Sequence, residues 1–215
     1  YLLGLLIGDG TLKHDKAVLS VWAPEWKAVA NGERSCAPTS VAGIVTAAAA
    51  AAATLEHRAD FRGFQRPIAG RGEMRLASTP LARLARDWGM APGHKTLTAE
   101  IERGGSDFTR GLLRGLFDAD GSVQGTQDMG VSVRLAQSGE ALLQSAQRML
   151  LRLGIASTIY RERRGAQVRN LPDGRGGLKP YDTAPQHELV ISGDNLVVFA
   201  DRVGFADHEK SARLE

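Results

Sequence analysis

The sequence predicts an α+β protein in which one αββαββα unit occurs twice, with mostly antiparallel strands. A nonapeptide recurs: Leu2-Leu3-Gly4-Leu5-Leu6-Ile7-Gly8-Asp9-Gly10 aligns with Leu113-Arg114-Gly115-Leu116-Phe117-Asp118-Ala119-Asp120-Gly121, and Thr11-Leu12 then aligns with Ser122-Val123. A glycine and a lysine six residues apart follow in each copy, Gly89 with Lys95 and Gly204 with Lys210. The separations also agree, 86 residues from Asp9 to Lys95 and 90 from Asp120 to Lys210. Two matched landmarks at nearly matched separation mark an internal repeat. Its halves are residues 1–102 and 103–215, joined near Glu102-Arg103-Gly104-Gly105-Ser106.

The elements follow in order. Tyr1 to Gly8 is a short helix, then come a strand at Thr11 to Lys13, a His14-Asp15-Lys16 turn, and an alternating return strand, Ala17 to Trp22. A helix falls within Thr39 to Leu55, favoured by the Ala47 to Ala53 run. Arg58 to Phe64 and Glu73 to Ala77 read as strands around a Gly/Arg-rich loop. Pro80 suits a first helical turn, and Leu81, Leu84 and Ala85 form that helix's apolar face. The second half repeats the order: helix Asp107 to Ala119, strand Ser122 to Gly125, alternating strand Val131 to Leu135. Gly139 to Leu153 is the clearest helix, with Leu142, Leu143, Ala146, Met149, Leu150 and Leu153 on one face. Strands at Ser157 to Arg161 and His187 to Ile191 precede a helix from Asp194 to Val203.

Composition narrows the classes. Of 215 residues, 43% are hydrophobic and 24% charged, which excludes wholesale disorder. A single cysteine, Cys36 in a Gly/Ser/Pro loop with no base beside it, excludes an internal disulfide framework and a Cys-rich zinc site. No apolar run reaches the roughly 18 residues of a membrane span, so no membrane partner is expected. Tyr1 to Ile7 looks like a short signal core but lacks a basic segment before it and stops at Asp9. A start at Tyr reads as an excerpt of a longer chain. The 27 basic residues, against 24 acids, permit a nucleic-acid partner without demanding one.

Gly4 and Gly8, and likewise Gly115 and Ala119, share a helix face. Small residues there let two helices approach closely, and the simplest partner for each helix is its copy. Asp9 and Asp120 each end a helix, where the dipole disfavours an anion, before a glycine suited to the left-handed C′ conformation. Asp-Gly also serves as a plain helix-to-strand turn. If the helices pair, the carboxylates converge, and converging carboxylates call for a proton or a cation. Oxygen ligands suit Mg²⁺ or another hard divalent cation.

These two motifs resemble the LAGLIDADG signature of homing endonucleases, specifically the two-motif DOD type carried by inteins. Leu113 to Gly121 matches it at seven of nine positions, missing at Arg114 and Phe117, and the first copy is looser. The resemblance implies a fold with the motif helices at the repeat interface and antiparallel sheets forming a DNA-binding saddle. It implies a monomer with an internal pseudo-two-fold that hydrolyses phosphodiesters of double-stranded DNA with Mg²⁺ or another divalent cation. It implies metal at Asp9 and Asp120, and active-site lysines at Lys95 and Lys210. Asp118 matches the motif's first acid, but Ile7 stands there in the first copy, so Asp118 is not expected to be a primary ligand.

Two basic stretches occupy matching repeat positions. Arg58, Arg62, Arg66, Arg71 and Arg75 face only Asp60 and Glu73, and Arg161, Arg163, Arg164, Arg169, Arg175 and Lys179 face only Glu162 and Asp173. Charge runs are commonly solvated surface; at matching positions they read as phosphate contacts and arginine–guanine readout. Lys13, Lys16 and Arg134 on the earlier hairpins join them. The five histidines show no metal spacing.

An intein splices through a nucleophile at its start and a terminal His-Asn pair. The chain has neither and is not expected to splice, although its parent would carry those segments and a host protein. The overall look is similar to endonuclease domains inserted in ribonucleotide reductase. The resemblance implies a cytoplasmic protein, on the nucleoid when bound. The Ala47 to Ala53 run reads as a degenerate helix of a decaying element, whereas retention of both acids and both lysines argues for activity. The rivals are a non-cleaving DNA-binding regulator and an RNA maturase on the same scaffold.

Overall fold

The computed structural model describes residues 1–22, 39–65, 73–126, 128, 130–172 and 177–214. Its first helix, α1 (Leu2–Ile7), has six residues, all buried. A helix that short does not persist alone in water. It is held by α5 (Ser106–Asp120), the second motif helix, which runs beside it in the same direction. The contact is backbone on backbone. A Cβ at Gly4 would run into the Leu112 carbonyl oxygen, and one at Gly115 into the Tyr1 carbonyl oxygen. At the far end a Cβ at Gly8 would collide with Ala119.

Each motif helix feeds an antiparallel sheet. The first has the order β1 (Gly10–Leu12), β2 (Ala17–Trp22), β3 (Glu73–Ser78). The second holds β4 (Gly121–Thr126), β5 (Gly130–Gln137), β6 (Thr158–Arg164) and β9 (Gln186–Ser192), ordered β4-β5-β9-β6. Alternation sends one face of each sheet to the core. Ala17, Leu19 and Val21 go inward from β2, Val133 and Leu135 from β5, and Leu189 and Ile191 from β9. The other face carries Ser20, Trp22, Ser132, Arg134 and Glu188.

The remaining helices cover the inner faces. They are α2 (Thr39–Ala53), α3 (Thr79–Asp87), α4 (Ala99–Glu102), α6 (Glu140–Arg152), α7 (Asn195–Arg202) and α8 (His208–Leu214). Helix α6 buries Leu143, Ala146, Met149 and Leu150, the stripe its periodicity predicts. Helix α3 starts on Ser78, whose hydroxyl accepts from the Leu81 N–H at 3.1 Å. The alanine-rich α2 is packed into the core. Ala48 and Ala52 are buried, and Gly43 brings its backbone against the Ala206 carbonyl at the start of α8.

Three expectations are corrected. Arg58 to Phe64 forms no strand; only Gln65 bridges to Arg75, beside a turn closed by Phe61 N–H to the Arg58 carbonyl. Asp60 and Gly63, the latter at φ 65°, explain the loss, because both residue types are poor in strands. Beyond β6 the chain forms a two-stranded ribbon that the periodicity missed, β7 (Gln167–Pro172) with β8 (Leu178–Thr183). Pro172 and Pro180 disguise it, since proline ordinarily argues against a strand. Gly10 and Gly121 do not take the left-handed conformation: Gly121 is extended at φ −78°. They are glycines for space, a Cβ at Gly10 lying 2.6 Å from the Leu6 Cα and one at Gly121 2.5 Å from the Phe117 oxygen.

Among the described residues no helix is long and apolar enough to cross a membrane. The presumed joint at Glu102 to Ser106 is clamped to α6. Glu102 accepts from Ser145 Oγ at 2.6 Å and from Arg148 Nε at 2.8 Å, and Arg152 donates to the Glu102 and Gly104 carbonyls. Arg148 holds the Glu102 carboxyl below its usual range.

Candidate active site

The parallel pairing of α1 and α5 brings both motif acids to one end of the seam. A Cβ at Gly8, the residue before Asp9, would stand 3.2 Å from the Asp120 carboxyl. Burial raises the Asp9 pKa, and the nearby Asp120 charge raises it further. Burial also raises Asp120. The two environments differ. Asp9, though partly shielded, still reaches solvent, and among the described residues its carboxylate accepts no hydrogen bond. Asp120 is half-buried and accepts from Gln137 Nε2 at 2.5 Å.

Both predicted lysines arrive at this end, on matching atoms. Lys95 Nζ donates to the Leu6, Ile7 and Gly8 carbonyls at 2.9, 3.2 and 3.4 Å, and to that of Gly10. Lys210 Nζ donates to the Phe117 carbonyl at 3.2 Å and to that of Asp118 at 2.6 Å. Leu6 and Phe117 are motif equivalents, as are Ile7 and Asp118, so each lysine caps the C-terminus of one motif helix. A cation there offsets the negative end of the dipole. The lysines thus offset part of the cost of placing aspartates at two helix ends. Burial lowers both lysine pKa values, while Asp9 and Asp120 act against it. Two acids and two lysines thus form one nearly neutral cluster.

Asp118 is used elsewhere. It is 2% exposed and accepts from Tyr1 Oη at 2.8 Å and from the Ala206 and Asp207 N–H groups at 3.0 and 3.1 Å. Those bonds fix the turn into α8, whose first N–H groups, at Glu209 and Lys210, are capped by Asp207 Oδ1. Asp118 therefore anchors the element that carries Lys210.

The donor set fits a hard divalent cation. The site offers carboxylate oxygens from Asp9 and Asp120, and no group of three or more His, Cys, Asp or Glu converges among the described residues. Such a set suits an ion that keeps water and takes substrate phosphate oxygens for its remaining positions.

Gln137 was missed by sequence reasoning. Its signal lies in the hairpin register: Gly121 pairs with Leu135, so residue 137 lies two positions past the strand start, beside Asp120. Gly10 pairs with Leu19, which puts Val21 at the corresponding position. The two half-sites are therefore chemically unequal.

The basic residues divide into groups. Arg134 and Arg163 meet at Glu188 on the outer face of the second sheet. Arg75 lies on the outer face of the first, bonded to Glu73 at 2.7 Å. Arg161 does not join them, because it donates to Glu140 at the start of α6 at 2.7 Å. Lys13 is exposed and Lys16 half-buried in the first hairpin turn, and Arg62 and Arg164 are exposed. Arg169 belongs to β7. Arg66, Arg71, Arg175 and Cys36 lie outside the described residues.

Against known families, residues 107–204 match the model described as a LAGLIDADG-like domain. Those residues, in the second half of the chain, are similar to a LAGLIDADG-like domain. The whole chain has the α+β fold of LAGLIDADG homing endonucleases. It superposes on the homing endonuclease I-DmoI in complex with DNA and Ca with a TM-score of 0.51 at 18% identity, covering 100% of this chain and 94% of that one. For I-DmoI in complex with DNA and Mn the TM-score is 0.50 at 17% identity, over 95% and 94% of the chains. A curated relative is the ribonucleoside-diphosphate reductase NrdEB subunit alpha of Bacillus subtilis (strain 168), 32% identical over 122 residues, 56% of this chain. A protein of the same name from Bacillus phage SPbeta matches equally. The chain spans about a tenth of the length of these relatives, 11% in each case.

Proposed function

We propose that this chain is a site-specific double-strand DNA endonuclease, the homing endonuclease domain of an intein, hydrolysing phosphodiesters with a divalent cation, Mg²⁺ first among them. The observation that carries the reading is the doubled site: two aspartates at one end of paired helices, each helix end capped by a lysine. A duplex has two antiparallel backbones related by a two-fold, and a site built twice around a pseudo-two-fold matches both.

The chain's own residues perform defined work. Asp9 and Asp120 hold the cation, which when bound lowers the pKa of an attacking water and neutralises charge on the phosphate oxygens. Lys95 and Lys210 keep positive charge beside the carboxylates and stabilise the negative charge that grows in the transition state. Gln137 fixes one Asp120 oxygen and leaves the other free. The outer sheet faces, with Arg75 on one side and Arg134 and Arg163 on the other, supply the surface for the duplex. Lys13, Lys16, Arg62 and Arg164 meet the flanking phosphates.

The match within a much longer ribonucleotide reductase chain supports the intein reading, with that enzyme as host and with residues 1–102 and 103–215 as the two repeats. A monomer suffices, and the place of action is the cytoplasm, at the nucleoid. The test is incubation of a supercoiled plasmid carrying an uninterrupted ribonucleotide reductase large-subunit gene with Mg²⁺. Linear product at one site is expected, and none with EDTA or with Asp120→Asn. Duplex binding without cleavage would replace this reading with the DNA-binding regulator, and selective capture of RNA would replace it with the maturase.

A further inference from the structure

Glu188 is out of place for its surface. Strand alternation sends Leu189 and Ile191 inward and leaves Glu188 on the outer face with Ser132, Arg134 and Tyr160. On a face meant for phosphates a carboxylate is repulsive. Yet Glu188 is only 5% exposed, because two arginines cover it. Arg134 Nη1 donates to its Oε2 at 3.2 Å, and Arg163 Nε reaches the same oxygen at 2.9 Å. Arg134 Nε also donates to Ser132 Oγ at 2.9 Å. The Arg163 guanidinium lies 5.1 Å from the ring centre of Tyr160, the residue directly across from Glu188.

Arg163 reaches this face through an irregularity. The β6–β9 register shifts between Tyr160 and Arg164, and Glu162 within it has φ 48°, the only positive value at a non-glycine residue among those described. Strict alternation would put residue 163 beside Arg161, which bonds to α6. A bulge that re-aims a side chain, at an energetic cost, is a built feature. The first sheet repeats the arrangement in smaller form. Glu73 is 8% exposed, Arg75 Nε donates to it at 2.7 Å, and Trp22 lies directly across.

Phosphate contacts tolerate a mobile arginine, whereas reading a base edge demands a guanidinium plane held in place. An acid beneath the arginines weakens phosphate attraction, so it serves readout at the expense of affinity. Arg163 meets Glu188 at Nε, and among the described residues neither Nη group makes a hydrogen bond, so both can turn to the paired acceptors of a guanine edge. We propose that Glu188 is a positioning residue that sets Arg134 and Arg163 as a base-reading fork, and that Glu73 does the same for Arg75. Together they govern which sequence is chosen rather than how tightly DNA is held. This inference rests on the reading of the chain as a duplex-DNA-binding protein.

The test is selection by the full chain from a pool of duplexes with a randomised core, followed by affinity measurements on selected and unselected duplexes. Glu188→Gln is expected to keep or raise affinity for unselected duplex. Preference at a few base pairs of one half-site should fall roughly tenfold at each, the scale of one bidentate contact. Glu73→Gln should flatten the opposite half-site. Arg134→Lys and Arg163→Lys keep the charge, lose the fork, and should flatten the same pairs as Glu188→Gln. Should Glu188→Gln fail to fold, the two lysine variants decide. Unchanged preference in them, or a uniform loss over all base pairs, overturns the inference. Wild-type chain that selects and cuts DNA while Glu188→Gln keeps its preferences overturns the inference alone; wild-type chain that binds no duplex overturns the functional reading with it.

Discussion

Asp9 and Asp120 sit where neither burial nor a helix end welcomes a charge, and the lysines compensate only in part, since both aspartate pKa values stay raised. A carboxyl whose folded pKa is raised destabilises the fold once ionised, above the usual carboxylate range, and is relieved as pH falls through its folded value. Asp120→Asn should therefore raise the melting temperature at neutral pH, with the gain shrinking in acid, while cleavage is abolished and DNA binding kept. A lower melting temperature in a neutral-pH scan would show that the acid is a structural partner instead. Lys210→Met removes the cap on the Phe117 and Asp118 carbonyls and should cost about 1 kcal/mol, together with cleavage. Denaturant titration and plasmid nicking read the two effects separately. At this scale the sequence disclosed the residues that occur twice. Asp9, Asp120, Lys95 and Lys210 announced themselves by duplication. Gln137 and Glu188 did not, because each acquires its role through strand register, Gln137 within the β4–β5 hairpin and Glu188 across β5-β9-β6, and a slip of one residue would turn either away.

The seam between α1 and α5 behaves unlike ordinary helix packing, because carbonyls rather than side chains meet the glycines. Gly4→Ala and Gly115→Ala should each cost about 1–3 kcal/mol as overpacked sites. Gly165→Ala, where an added Cβ meets nothing within 4 Å, should stay within about 0.5 kcal/mol. Comparable losses at all three in urea unfolding would show that the seam yields. The Glu102 clamp gives a second element-level expectation. Arg148 holds that carboxyl below its usual range, so its contribution is present above that range and lost as pH falls through the lowered value. Glu102→Gln should cost about 1.5–3 kcal/mol at neutral pH, the range for hydrogen bonds to a charged group, and less in acid. Helices were legible where apolar spacing was clean, as in α6. The Arg58 to Phe64 strand failed because Asp60 and Gly63 disfavour extended pairing, and the segment turns at Phe61 instead. The β7–β8 ribbon failed because Pro172 and Pro180 argue against a strand and its described side chains, Gln167, Val168 and Lys179 to Asp182, are exposed, which leaves no apolar alternation to read.

For the molecule as a whole, binding should weaken steeply with salt, because each neutralised phosphate releases condensed counterions, with a slope of about −0.9 per contact. Alanine at Arg62 should shrink the footprint on one side of the target, and alanine at Arg164 on the other. Equal shrinkage on both sides in footprinting would show these arginines to be ordinary solvated surface. The doubled architecture was legible from sequence because the motif and the glycine–lysine landmarks recur at nearly equal intervals. The inequality of the halves was not, since a ribbon on one side and Val21 opposite Gln137 are differences that alignment of the repeats averages away.

The glycine-to-carbonyl contacts of the seam also bear on how such a protein can change over generations. The helix spacing is set by main-chain atoms at Gly4 and Gly115 and, at the end nearest the two acids, by the Ala119 methyl beside Gly8. Enlarging any of these four small residues should therefore move the acids apart, whereas substitutions in the surrounding core need not. The chain shares its fold with I-DmoI at 18% identity, so most of the core side chains can differ while the fold is kept.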